Sequence, residues 1–250
     1  MTNETKQDKR EIVIPGEVIA SGDFLPGDWT MKQGDDVVST RLGIVDKSDK
    51  LVKVIPISGV YTPRRGNVVI AEITDFTMRG WLSKIGAPYN SFLALNECPM
   101  FVRENEMADV HDIGDLVICK IAKTGRTSVD LTIKGRGLGK IRSGIIMKVN
   151  PHRVPRIIGK EGSMVRLIKN ASGAEVVVGQ NGIIWIKGEK TEDELFARQA
   201  VEFVVENTTA NGLTAKVEDF LEEGRKGSVK KAKEVIEAEP IKEEVEEDTQ

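Results

Sequence analysis

Val154-Pro155-Arg156-Ile157-Ile158-Gly159-Lys160-Glu161-Gly162-Ser163 places two glycines, two residues apart, between two apolar-periodic segments. Lacking Cβ atoms, both glycines let the backbone turn sharply and approach a sugar-phosphate chain closely. Beyond the turn, Met164, Val165, Leu167, Ile168 and Ala171 fall on one helical face, and Gly173 supplies a stop. The second glycine thus stands at a helix N-terminus, where free N–H groups and the dipole attract phosphate.

The flanks decide whether this is a clamp or an ordinary turn. Upstream, Ile145 to Val149 reads as a strand and Val154 to Ile158 as a single helical turn with Pro155 near its start. Downstream, Glu175 to Val178 and Ile183 to Ile186 read as strands. A closing helix then begins at a Thr191/Glu194 capping box and buries Leu195, Phe196, Ala200, Val201 and Val204. The order βααββα around a G-x-x-G turn is the signature of a KH domain, whose loop grips the backbone of single-stranded RNA. Candidate contacts are Gly159, Lys160, Glu161, Gly162 and Ser163, with Arg153, Arg156 and Arg166 as the surrounding cations.

Gly179-Gln180-Asn181-Gly182 has the same spelling. Strands flank it on both sides, and Asn-Gly is a favoured hairpin dipeptide, so it reads as a turn rather than a phosphate site.

The net charge of −3 is unpromising for an RNA ligand until it is divided along the chain. Residues 218–250 hold 12 acidic and 6 basic residues, which leaves 30 basic and 27 acidic in 1–217. Between Lys140 and Lys190 there are 10 Lys/Arg against 3 Glu, the local excess expected of a nucleic-acid module. At 250 residues the chain suits two or three small domains. It has no run of 18 apolar residues, and its start is polar rather than signal-like, so a soluble cytoplasmic protein without a membrane partner is expected. Cys98 and Cys119 lack C-x-x-C spacing and read as reduced and buried.

Between Gly66 and Lys134, five short strands are expected at Val68–Ile73, Trp81–Lys84, Phe92–Leu95, Leu116–Ile121 and Val129–Ile133, with a longer excursion after the third. That pattern suits a five-stranded OB-type barrel, which binds oligonucleotides on strands 2 and 3 and on the loops joining strands 1–2 and 4–5. Those places hold Phe76, Arg79, Trp81, Lys84 and Tyr89, then Lys123 and Arg126. Aromatics would stack bases and cations would follow the backbone. Trp81 and Phe76 read equally well as core.

In the first 60 residues, Val37–Val45 and Leu51–Ile55 look like a hairpin around Asp46-Lys47-Ser48-Asp49, and Leu25-Pro26-Gly27-Asp28 like a tight turn. The fold class is multidomain β and α+β. It divides into a flexible start (1–9), a small β domain (10–60), the barrel (61–136), the KH domain (137–217) and an acidic, disordered tail (218–250).

Gly135-Arg136-Gly137-Leu138-Gly139-Lys140 invites a nucleotide-loop reading and fails it. The P-loop pattern requires Gly at 134 and Ser or Thr at 141, where this chain has Lys134 and Ile141. A flexible basic hinge is the better account. His111 and His152 lie in different units with no nucleophile motif beside them, so no catalytic residue, metal or cofactor is expected.

With these residues in view, the chain resembles the RNA-binding cap subunit of the archaeal exosome over roughly residues 10–220. The most specific stretches are Arg65-Gly66-Asn67-Val68-Val69, Ala87-Pro88-Tyr89, the 135–140 hinge and Val154 to Met164. The resemblance implies an N-terminal β domain, a barrel of the ribosomal-protein S-one class, then KH. It also implies an accessory role: three copies on a ring of RNase PH-like subunits capture RNA and feed its 3′ end to phosphorolytic sites. Glu161 departs from the family, which commonly has a basic residue there, and this shifts weight from clamp to barrel. The alternatives are a free-standing RNA-binding translation or transcription factor and a self-sufficient nuclease.

Overall fold

A computed structural model describes residues 11–100, 102–103, 106–208 and 212–224. The expectations for 1–9 and for the tail beyond 224 lie outside those residues. The chain divides into two units, one running to Pro155 and including Val177–Trp185, the other holding Arg156–Val176 and the residues from Ile186 onward.

The first unit opens with two small sheets. Strands β1 (Ile12–Val13), β2 (Val18–Ser21), β3 (Leu25–Pro26), β4 (Thr30–Gln33), β5 (Asp36–Ser39), β6 (Gly43–Ser48) and β7 (Leu51–Pro56) form sheets ordered β1-β6-β7-β3 and β2-β5-β4. Val13, Ile19, Val37, Val52 and Val54 are buried between them. The single strand expected over Val37–Val45 is broken, because Ser39 Oγ donates to the Arg41 carbonyl at 2.6 Å and turns the chain into the second sheet. The hairpin turn falls at Asp49-Lys50, two residues late. Asp46 stays in the ladder opposite Lys53, with an ion pair at 3.0 Å. Leu25-Pro26 is a short strand parallel to β7 rather than part of a turn.

Next come β8 (Val68–Thr77), β9 (Gly80–Lys84), β10 (Asn90–Ala94), β11 (Leu116–Thr124) and β12 (Ser128–Thr132), with a short helix α1 (Met107–Val110) in the excursion after the third strand. The order β12-β10-β9-β8-β11, closed by β12 on β11, makes the expected five-stranded barrel. Strand alternation turns Val69, Ala71, Ile73, Trp81, Leu93, Val117, Cys119, Ile121, Val129 and Leu131 inward. Both cysteines are free and buried.

The hinge read at 135–140 is not free. Its end forms β13 (Gly139–Lys140) on β11, Lys140 pairs with Asp115, and Leu138 packs on the barrel core. An unsatisfied barrel edge gained a partner there, which composition could not announce.

The KH strands are β14 (Ile145–Lys148), β15 (Glu175–Val178) and β16 (Ile183–Lys187), ordered β14-β16-β15. Trp185, Ile183 and Val177 share a second core with Ile70 and Ile118 on the outer wall of the barrel. The β15–β16 turn is pinned to the same wall. Gln180 N–H donates to the Val68 carbonyl at 2.8 Å, and buried Asn181 accepts from Ile70 N while donating to the carbonyls of Ile70 (2.8 Å) and Ile85 (3.1 Å).

In the second unit, α2 (Val154–Ile158) ends and α3 (Ser163–Ser172), α4 (Thr191–Glu206) and a helix over 213–224, α5, follow. Met164, Ile168, Ala197, Ala200, Val201, Val204, Val217 and Leu221 are buried. Three expectations are corrected. The cap of α4 is Lys190, whose N–H reaches Asp193 Oδ2 at 3.3 Å, and Glu194 instead accepts from Gly188 N. Leu195 is exposed, since two residues before Ala197 is about 200° round the helix. And ordered helix continues past 217, with the Phe220 ring stacked on Phe203 at 4.6 Å.

Candidate nucleic-acid interface

The clamp is built by its backbone. Gly159 has φ +72, and a Cβ there would lie 2.8 Å from the Met164 amide nitrogen, so no side chain fits. Glu161 (φ 52, ψ 28) and Gly162 (φ 77, ψ 17) both take left-handed conformations, and α3 begins at Ser163. For glutamate that conformation costs about 1–2 kcal/mol. Arg166 holds it, donating from Nη2 to the Glu161 carbonyl at 3.0 Å. Arg166 therefore braces the loop, and one of its donors is already spent.

Arg156 and Lys160 are exposed and unpaired with any other described residue, as is the carboxylate of Glu161. Arg153 is half-buried and engaged within the fold. The turn thus presents one cation and one anion at its tip, beside the N-terminus of a ten-residue helix.

On the barrel, the stacking role read for Trp81 is overturned. The ring is fully buried, donates from Nε1 to the His111 carbonyl at 3.0 Å and meets the His111 imidazole edge-on. Trp81 alternates inward with Ser83, and its N–H finds a backbone partner inside, so nothing draws it out. Phe76 and Tyr89 are half-buried and pack on the same core. The cations do stay outside: Arg79, Lys84, Lys123 and Arg126 are all exposed, with Lys84 registered opposite Glu72 and Lys123 opposite Asp130.

These cations do not form one cluster. Pairing of Gly80 with Ala94 puts the Met78-Arg79 turn at the end of β10, whereas pairing of Asn90 with Ser128 puts the Arg126 turn at its start. Four residues of strand, about 13 Å, separate those ends. Between them lies Phe92, a half-buried ring next to the inward-facing Leu93. Sequence reading passed it over. The signal was there, because an inward Leu93 obliges its neighbours to face out.

Burial favours the neutral form of both histidines. Desolvation, then Lys140, lowers the His111 pKa against the opposing pull of Asp115, and desolvation, then Arg41, lowers that of His152. Among the described residues no group of three or more His, Cys, Asp or Glu is placed to hold a metal.

The described residues thus combine a small β domain, a closed five-stranded barrel and a KH-type unit with an exposed G-x-x-G turn. Residues 10–58 match the family described as the exosome RNA binding protein RRP4 N-terminal domain, and residues 144–192 match the KH domain family. Exosome complex component Rrp4 of Nitrosopumilus maritimus is 38% identical over 221 residues, covering 86% of this chain and 97% of the relative. The Rrp4 of Methanothermobacter thermautotrophicus is also 38% identical, over 86% of this chain and 68% of its own. A crystal structure described as that of an exosome complex RNA-binding protein superposes with a TM-score of 0.59 at 29% identity, over 67% of this chain and 98% of its own. The chain belongs to the Rrp4 family of exosome complex components.

Proposed function

We propose that this chain is a non-catalytic RNA-binding cap. Three copies sit on a cytoplasmic ring of RNase PH-like subunits, hold single-stranded RNA through the S-one-type barrel and the KH clamp, and pass its 3′ end to phosphorolytic sites in the ring. The observation that carries this reading is the Gly159–Gly162 turn, solvent-facing, with free Lys160 at the start of α3, in a chain of the Rrp4 family. The site residues proposed are Arg156, Lys160, Gly162 and Ser163 on the clamp and Arg79, Lys84, Lys123 and Arg126 on the barrel, with Gly159, Glu161 and Arg166 shaping the loop.

The purified chain should bind RNA without shortening it. Added to an RNase PH-like ring, it should lower the RNA concentration for half-maximal phosphorolysis while leaving turnover at saturating RNA nearly unchanged, because a tethered strand meets the ring at high effective concentration. Rapid phosphate-dependent degradation by the chain alone, or a ring indifferent to its presence, would overturn this reading.

A further inference from the structure

Charge along the second unit and the chain that follows it comes in four blocks of alternating sign. In the clamp segment, residues 156–172, Arg156, Lys160, Arg166 and Lys169 stand against Glu161 alone. Residues 191–224, which hold α4 and α5, then carry nine acidic residues against Arg198 and Lys216, and Glu218, Asp219, Glu222 and Glu223 are all exposed along α5. Residues 225–233 contain Arg225, Lys226, Lys230, Lys231 and Lys233 and no acid. Residues 234–250 reverse the sign again, with eight acidic residues against Lys242.

That order selects a place for the last block. An acidic segment leaving α5 directly would be repelled by the carboxylates of α4 and α5, whereas the basic stretch interposed between them is attracted to that face and carries the acidic block past it. What remains attractive on the same unit is the clamp. Arg156 and Lys160 are exposed there without a carboxylate partner among the described residues, and α3 begins without a side-chain cap, so its first amides favour an anion. Glu243-Glu244-Val245-Glu246-Glu247-Asp248 offers five carboxylates in six residues, a line of negative charge comparable with a short run of phosphates. Distance is no obstacle. The nine residues 225–233 can span up to about 30 Å, while a compact unit of about 100 residues has a radius of gyration of about 13 Å.

We propose that residues 234–250 dock on the clamp, their carboxylates against Arg156, Lys160 and the start of α3, and that RNA must displace them to bind there. The proposal rests on the RNA-binding reading above and adds a control to it. The chain carries its own competitor for the site.

The test compares the full chain with one ended after Lys233 and with one in which the eight acidic residues of 234–250 are changed to Gln or Asn. A segment at about 1 mM effective concentration, held with a Kd of about 0.1–0.5 mM, weakens a competitor about 3- to 11-fold, and both altered chains should bind a single-stranded oligonucleotide more tightly by that factor. The gain should shrink as salt rises, since the docking is electrostatic. Without RNA, a synthetic peptide of residues 234–250 added to the shortened chain should shift the amide resonances of residues 159–165 toward their positions in the full chain. Arg156→Ala together with Lys160→Ala should erase the gain on shortening and leave the melting temperature in place, because both side chains are exposed. A gain that persists in that double variant would mean that the segment repels RNA from a distance, and shifts confined to Lys84, Lys123 or Arg126 would put it on the barrel; either result overturns the docking. Equal affinity in the full and shortened chains, with RNA binding intact, overturns it as well and leaves the RNA-binding reading standing. If neither chain bound RNA, the broader reading would fall and the competition with it.

Discussion

Gly159–Gly162 and Gly179–Gly182 share a spelling and have opposite fates. The first faces solvent, has two left-handed residues in succession, and leaves Lys160 and Glu161 in water. In the second, Asn181 is 6% exposed and is fastened to the backbone of Ile70 and Ile85. Glycine spacing sets what the backbone can do, and the flanking elements decide what it faces. A helix after the second glycine aims free amides outward, whereas a strand on each side gives a hairpin whose tip is available for packing.

The largest effect should come from the turn that touches no ligand. Asn181→Ala orphans the Ile70 amide and the Ile70 and Ile85 carbonyls, and unpaired buried groups cost about 1–3 kcal/mol each. A loss of about 2–4 kcal/mol is expected in denaturant unfolding. A change within experimental error would mean that water replaces the amide. Intermediate in size is the reverse experiment on the exposed turn. Lys160→Asp together with Glu161→Asp should leave the melting curve in place, weaken RNA binding and flatten its salt dependence by about one unit for each phosphate no longer neutralised. Equal affinity with normal melting would make this turn merely structural. Smallest is the relief of strain at Glu161. Glu161→Asn should stabilise the fold by about 0.5–1 kcal/mol, because asparagine tolerates the left-handed region, and should raise RNA affinity by removing a carboxylate from the tip. Destabilisation would show that the Arg166 brace depends on the glutamate.

The βααββα succession and the five barrel strands were legible because apolar periodicity and turn residues both marked them. Side-chain direction was harder at amphipathic residues. Trp81 fits a stacking surface or a core, and only the His111 carbonyl inside the barrel, 30 residues away, settles it. Phe92 was hidden by the opposite bias, since a phenylalanine in a strand is expected to be core. The helix over 213–224 was missed although Leu213, Val217, Phe220 and Leu221 carry helical spacing, because acidic composition from 218 onward outweighed periodicity. The hinge was misread for a similar reason. Three glycines describe what a chain can do, whereas β13 depends on an edge about 20 residues away.

The bond between Ile70 and Asn181 spans 111 residues. On a ribosome adding about 5–20 residues per second, the start of β8 waits on the order of 5–20 s for the turn that covers it. From the completion of β12 until that turn arrives, the nascent barrel has its five strands and one bare stretch of backbone at Val68–Ile70, the kind of edge to which stray strands add. Final closure belongs to a later domain. Maturation of the barrel is therefore slow for its size, and a chain truncated before Gly179 would carry that open edge permanently.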